Sequence, residues 1–276
     1  MLFLAALLGS FSASMAVELR VRIENLAPET GLFLTPFWVG FHDGGFDLYD
    51  QGSPATAGLE RVAEDGDISV LSAEFAGSPS AAAGGIDAVI TSPGGFIGAP
   101  VFDPGEAPTV IFDLDPIQNR YFSYASMVIP SNDAFIANGN PLAVELFDGV
   151  GDFNGPITFT VFGQDVLDAG TEDNTEMQAA FINQTGPDMG TATVGGVVTL
   201  HSGFIDSFGN PGGTPIILGG TTAAGTTLDS VLADFTQPGA AIAQITITTI
   251  PEPSTFALAA ISLLGLLGFG RRRAAR

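Results

Sequence analysis

Val17-Glu18-Leu19-Arg20-Val21-Arg22-Ile23-Glu24 alternates apolar and charged residues without a fault. Successive side chains on a strand point to opposite faces, so Val17, Leu19, Val21 and Ile23 predict one buried row and the four charged residues a solvated one. The same period returns in Ile157-Thr158-Phe159-Thr160-Val161 and in Ala243-Gln244-Ile245-Thr246-Ile247. Val110 to Leu114 and Tyr121 to Ile129 add β-rich runs bounded by Pro, Asn and Asp. Half-buried strands at both ends of the body, with turn signals between, predict an all-β fold, an antiparallel β-sandwich. One short helix is signalled, with Ser53 as N-cap, Pro54 at its first position, Leu59, Val62 and Ala63 on one face and Gly66 near its end. The stretch 203–239, rich in Gly, Thr and Ala, reads as long loops around one or two strands.

Composition narrows the function. With 46% hydrophobic residues and 22 Phe the chain has ample core material, so its 36 Gly and 18 Pro read as turns rather than disorder. The formal net charge is −22, and every basic residue is an Arg. Such a field repels nucleic-acid phosphates and anionic headgroups, attracts divalent cations and keeps an exported protein soluble. The absence of Cys excludes disulfides, thiol nucleophiles and Cys-ligated zinc. His42 and His201 are the only histidines. No Gly-x-Ser-x-Gly elbow or His-Glu-x-x-His motif accompanies them, and no two acids are nominated as a glycosidase pair, so the expectation is a protein that is not an enzyme.

The two ends read as addresses. Residues 1–16 form an apolar run closed by Ser14-Met15-Ala16, with small residues at the two positions a signal peptidase reads, although no Lys or Arg precedes the run. The mature chain then starts at Val17. Residues 250–276 hold Pro251-Glu252-Pro253, the apolar segment Phe256 to Gly270, and Arg271-Arg272-Arg273. As a helix the apolar segment rises about 22 Å, short for a hydrocarbon core of about 30 Å unless its flanks help, and the Arg cluster favours leaving that end in the cytoplasm. This order resembles the PEP-CTERM sorting signal of Gram-negative bacteria that make exopolysaccharide. The resemblance implies processing by an exosortase, transient anchoring in the inner membrane by the C-terminal helix, and delivery to the cell surface, outer envelope or extracellular matrix.

Between the ends, residues 17–249 resemble the spondin N-terminal domain in three stretches. The first is His42-Asp43-Gly44 with Phe46, Gly52, Ser53, Gly58-Leu59 and Ala63-Glu64-Asp65-Gly66-Asp67; the second is Ser126-Met127-Val128-Ile129-Pro130-Ser131-Asn132-Asp133-Ala134-Phe135. The third is Asp168-Ala169-Gly170-Thr171-Glu172, followed by Asn174 and Glu176. The resemblance implies a C2-like sandwich and a calcium site on Asp133, Asp168 and Glu172, with Gly170 letting the loop fold back. The last strand departs from the family, since Gly239 to Ile247 has no Arg, and the Cys-rich modules of animal relatives are absent.

Several smaller features have two readings. Asp148-Gly149-Val150-Gly151-Asp152-Phe153-Asn154-Gly155 is half a calcium loop or a hairpin turn. Trp38 with Phe37, Phe41 and Phe46 is core or an exposed platform for carbohydrate. Asn183-Gln184-Thr185 fits a glycosylation sequon. The leading expectation is a calcium-stabilised adhesion or binding module at the cell surface, with exopolysaccharide or surface proteins as partners. A carbohydrate-binding module is the alternative, and a secreted hydrolase the more distant one.

Overall fold

A computed structural model describes residues 16–92, 99–204 and 215–250. The address segments before Ala16 and after Ile250, with Pro251, Glu252, Pro253 and Arg271 to Arg273, lie outside the described residues. Among the described residues no helix is long and apolar enough to cross a membrane.

Among the described residues eleven strands form two antiparallel sheets, as the alternating segments predict. The first sheet runs β5 (Thr109–Leu114), β1 (Val17–Asn25), β11 (Ala241–Thr249), β8 (Ile157–Phe162). Leu19, Val21 and Ile23 of β1 are fully buried, and so are Ile245 and Ile247 of β11. Burial of each such side chain stabilises the fold by about 1.5–3 kcal/mol. The second sheet runs β10 (Thr199–Leu200), β9 (Leu167–Asp168), β7 (Ala134–Ala137), β6 (Tyr121–Ile129), β3 (Phe37–His42), β4 (Ile86–Ile90), with β2 (Phe33–Leu34) also paired to β6.

The middle strands of the second sheet, β3 and β6, are buried on both faces, and of its seven strands only β6 is signalled in the sequence, by β-rich composition rather than alternation. Phe37, Val39 and Phe41 of β3 enter the core between the sheets. Trp38, from the same strand, enters a separate cluster with Leu48, Val62, Leu71 and Phe75. Val62 comes from α1 (Ala57–Asp65), Leu71 and Phe75 from α2 (Ser69–Ala76) and Leu48 from the loop before them; with α3 (Pro79–Ala82) these helices lie between β3 and β4 in the chain. A strand buried on both sides has no alternation to read. Gly40 is required here because Trp38 lies over it, and a Cβ would stand 2.4 Å from the indole Cη2.

Among the described residues there are thus three α-helices rather than the one expected, and α1 starts later than expected. Its N-cap is Thr56, whose Oγ1 accepts from Leu59 N–H at 3.1 Å, while Ser53 is engaged through its backbone with Asp50 and Val198. Glu74 of α2 accepts from Thr56 Oγ1 (2.9 Å) and Gly58 N–H (2.8 Å), placing a carboxylate at the positive end of α1. In the 203–239 stretch, residues 205–214 lie outside the description. The rest contributes no named strand but only a Thr221 to Thr227 bridge, and anchors itself through Ile217, Leu228, Ala233 and Phe235 in the main core.

Asn25 locks the two sheets at the end of β1. Its Nδ2 donates to the carbonyls of Leu32 and Phe102, both at 3.0 Å, and its Oδ1 accepts from Ala27 N–H at 2.9 Å. Asn25→Ala takes from the Leu32 carbonyl and the Ala27 N–H their Asn25 partner, and leaves the Phe102 carbonyl only the Leu34 N–H, in a site where Asn25 is 1% exposed. Each such loss costs about 1–3 kcal/mol. The variant should unfold at a clearly lower urea midpoint with unchanged m-value, whereas Asn25→Asp should lose both amide donors and fare no better.

Candidate functional site

Two stretches far apart in sequence, 131–133 and 168–176, are clamped together by polar groups rather than by apolar packing. Strand β7 pairs with β9 so that Ala134 faces Asp168, and Ala169 N–H donates to the Asp133 carbonyl at 3.2 Å. Asp133 is fully buried, and its Oδ2 accepts from Thr171 N–H (2.8 Å), Glu172 N–H (3.1 Å) and Thr171 Oγ1 (3.3 Å). Asn132 completes the clamp, donating to Glu172 Oε2 (3.1 Å) and the Met177 carbonyl (3.2 Å) and accepting from Glu176 N–H (2.9 Å). Gly170 holds φ at +69°, and a Cβ there would stand 2.5 Å from the Val197 carbonyl oxygen, so the fold-back expected at this glycine is realised against a backbone that cannot yield.

The clamp leaves acids facing acids. Asp133 Oδ1 is buried with no hydrogen-bond partner. Burial, and next the Asp168 carboxylate, push the Asp133 pKa up to about 6 against the pull of the Glu172 and Thr171 N–H groups. Asp168 is tied to its own loop, Oδ1 accepting from Gly170 N–H (2.7 Å) and Oδ2 from Asn174 Nδ2 (2.5 Å). Its charge also reaches His201, whose Nδ1 accepts from Gly203 N–H at 3.0 Å and whose buried Nε2 has no partner. Burial holds the imidazole below its ordinary pKa, with Asp168 opposing.

Glu172 joins this group through its backbone and not through its carboxylate. Besides Asn132, its side chain accepts from Gly190 N–H at 2.8 Å, and the charges bearing on it are those of Asp65 and Asp188. Among the described residues no three His, Cys, Asp or Glu side chains gather closely enough to hold a metal ion. The expected three-carboxylate set is thereby reduced to Asp133 and Asp168. The physical reason is that Asn132 and Gly190 offer Glu172 hydrogen bonds on the other side of the Thr171 backbone.

On that other side lies an acid that sequence reading treated only as a helix end. Glu64, in the last turn of α1, is 3% exposed, and its Oε2 has no partner. Burial raises its pKa to about 7, the neighbouring Thr171 hydroxyl opposes this, and Glu172, Glu60 and Asp188 raise it further. The nearby Arg61 is already bound to Asp65 at 2.6 Å. The only signal in the sequence was that Glu64 directly follows Val62 and Ala63 on the apolar face.

The remaining candidates have structural roles. Trp38 is fully buried and donates to Asp87 Oδ2 at 2.9 Å, so the aromatic platform is core. His42 bonds Ser123 Oγ (2.9 Å) and accepts from Gly44 N–H, and burial lowers its pKa to about 4. Asp148 Oδ1 accepts from the N–H groups of Val150 and Asp152, both at 2.9 Å, which makes the Asp148 to Gly155 stretch a hairpin turn. Asn183 donates its amide to the Glu176 carbonyl at 2.8 Å, so the sequon's acceptor nitrogen is occupied within the fold.

A carboxyl whose folded pKa is raised contributes stability that is full below its unfolded value and lost as pH rises through the folded one. For Glu64 the window runs from 4.5 to about 7, and for Asp133 from 3.8 to about 6. In chelator the protein should therefore melt at a higher temperature at pH 5 than at pH 7.5. Glu64→Gln, which removes the charge and keeps the shape, should raise the pH 7.5 melting temperature and flatten the upper part of that window; an unchanged profile would show that Glu64 carries no buried charge.

Comparison with curated proteins finds no match to this chain. The spondin resemblance of residues 17–249 therefore rests on the motifs themselves. The model of the PEP-CTERM protein-sorting motif matches residues 249–274, and this motif marks the chain as an exported protein sorted by an exosortase.

Proposed function

We propose that the sorted domain is a non-catalytic surface module of spondin type, used for adhesion or binding outside the cell and stabilised by calcium. The observation that carries this reading is the Asp133 and Asp168 pair, one oxygen of which is buried without a partner, in a protein bearing an exosortase signal. The Ser131-Asn132-Asp133 and Asp168 to Glu172 stretches on which the spondin resemblance rests lie against each other, which further supports it.

A calcium ion takes six to eight oxygens from several loops and tolerates irregular geometry. Asp133 Oδ1 and the Asp168 carboxylate suit such an ion, because a cation there would relieve both an unpaired buried oxygen and a like-charge contact. Glu172 supplies one backbone N–H that, with that of Thr171, orients Asp133, and its carboxylate is not counted among the ligands. With no Lys in the chain and Arg61 and Arg120 engaged by Asp65 and Glu145, few protein cations are at hand to do the same.

Calcium bound only to the folded state stabilises it by about 2.7 kcal/mol when free ion stands at 100 times its dissociation constant. The mature protein should melt several degrees higher in calcium than in chelator, with a smaller response to magnesium, and Asp168→Asn should abolish most of the calcium response. Equal stabilisation of wild type and Asp168→Asn by both ions would reveal only screening of the acidic surface. Sorting is tested separately: replacing Pro251-Glu252-Pro253 with Ala should leave a longer form in the membrane fraction. Surface-extracted wild-type protein that retains Arg271 to Arg276 would count against exosortase processing.

A further inference from the structure

The strands that carry the two address segments lie side by side. Strand β1 begins at Val17, β11 ends at Thr249, and the antiparallel register pairs Leu19 with Thr249. Both segments therefore leave the sandwich at one pole. The other ends of the same strands, Asn25 and Ala241, define a second pole about 26 Å away, eight steps of ~3.3 Å along nine residues.

Two independent connections place the carboxylate pair at that second pole. Strand β8 ends at Phe162 opposite Ala241, Gly163 N–H donates to the Ala240 carbonyl at 2.8 Å, and a single 3-10 turn then leads into Leu167–Asp168. From the other sheet, Asn25 grips the Leu32 carbonyl, Phe33 pairs with Ile129, and Ser131-Asn132-Asp133 follows directly. The first pole is instead built from Val17 paired with Leu114, the Asp115 to Asn119 turn and the Asp148 to Asp152 turn, where Arg120 is already paired with Glu145.

Chain length turns this geometry into an orientation. Residues 250–255 separate Thr249 from the apolar segment that begins at Phe256. The seven steps from Thr249 to Phe256 span at most about 25 Å fully extended, no more than the ~26 Å between the poles, and a segment running back along the sandwich must also clear its side. While the tail holds the protein at the membrane, turning the second pole to the lipid would need the whole segment stretched to full extension along the side of the domain, which its conformational entropy opposes. Asp113, Asp115, Asp148 and Asp152 around the first pole oppose close contact with anionic headgroups, so the domain stands on its tether rather than lying on it.

We propose that the tethered protein faces the membrane with the Val17 and Thr249 pole and presents the Asp133 and Asp168 pole outward, toward the space where ligands and calcium are met. The inference rests on the sorting reading of the tail. It also assigns the outward pole as the binding end of the module, since the opposite end is occupied by the membrane until processing.

The absence of Cys makes a single introduced cysteine a unique probe. Val150, 81% exposed in the first-pole turn, and Val194, 99% exposed beside the Glu172 to Ala192 bridge, accept Cys without disturbing the core. Each of Val150→Cys and Val194→Cys is labelled with a donor dye in precursor carrying the Pro251-Glu252-Pro253 replacement. The precursor is then reconstituted in phosphatidylethanolamine and phosphatidylglycerol vesicles containing acceptor-labelled lipid. Energy transfer to the lipid should be about twofold or more greater from position 150 than from 194, as a height difference near one strand length requires. Equal or reversed transfer in vesicle-bound precursor overturns the orientation and leaves the sorting reading standing. Precursor that floats free of the vesicles removes the tether and overturns both. Melting temperatures matching the unlabelled parent establish that neither cysteine has altered the fold.

Discussion

The pairing of the first strand with the last is the constraint on which the rest of this structure depends. β1 lies between β5 and β11, so a nine-residue segment next to one address and a nine-residue segment next to the other share one ladder, from Leu19 with Thr249 to Asn25 with Ala243. This closure joins residues more than two hundred positions apart, and its register cannot slip. A shift of one residue would turn Leu19, Val21 and Ile23 to solvent and bury Arg20, Arg22 and Glu24. Because the ladder is antiparallel, it also separates the molecule into a pole of chain ends and a pole of loops. At the pole of loops Asn25 ties the first sheet to Leu32 and Phe102.

At the pole of loops, acids are held by backbone N–H groups rather than by cations. Asp133 takes two from residues 171 and 172, Asp168 one from Gly170, Glu172 one from Gly190 and Glu176 two from Ile216 and Ile217. A chain with so few basic residues outside its tail satisfies carboxylates in this way, and each loop is thereby oriented by the charge it surrounds. The cost appears where an oxygen is left over, at Asp133 Oδ1 and Glu64 Oε2. Such residual charge is released by a proton or a cation, and for that reason stability, pH and divalent ions are coupled in the proposed module.

Export joins this chemistry to a place. A signal that fixes one pole toward the membrane gives the two ends of a small sandwich different surroundings. The pole built from the most irregular chain, in stretches 131–133 and 168–203, is then the one exposed to whatever lies outside. Loops set on a rigid two-sheet frame commonly carry binding, since the frame holds them in place without dictating their sequence.

The sequence by itself determined the first sheet, the sandwich class and the sorting tail. Their signals are local: strict alternation in Val17 to Glu24, in Ile157 to Val161 and in Ala243 to Ile247, and three unlike elements in fixed order at the terminus. Of the second sheet the sequence shows only β6, as a β-rich run; the tertiary structure alone decided the rest, because β3 is buried on both faces, which erases the period of two, and β2, β9 and β10 are two residues long. The same holds at the site. Asp133, Asp168 and Glu172 are legible as loop acids, but which of them face one another depends on hydrogen bonds offered by Asn132, Thr171 and Gly190. Glu64 enters from a helix more than a hundred residues away from Thr171. Carboxylate directions are set by partners distant in the chain, and no spacing within one segment encodes them.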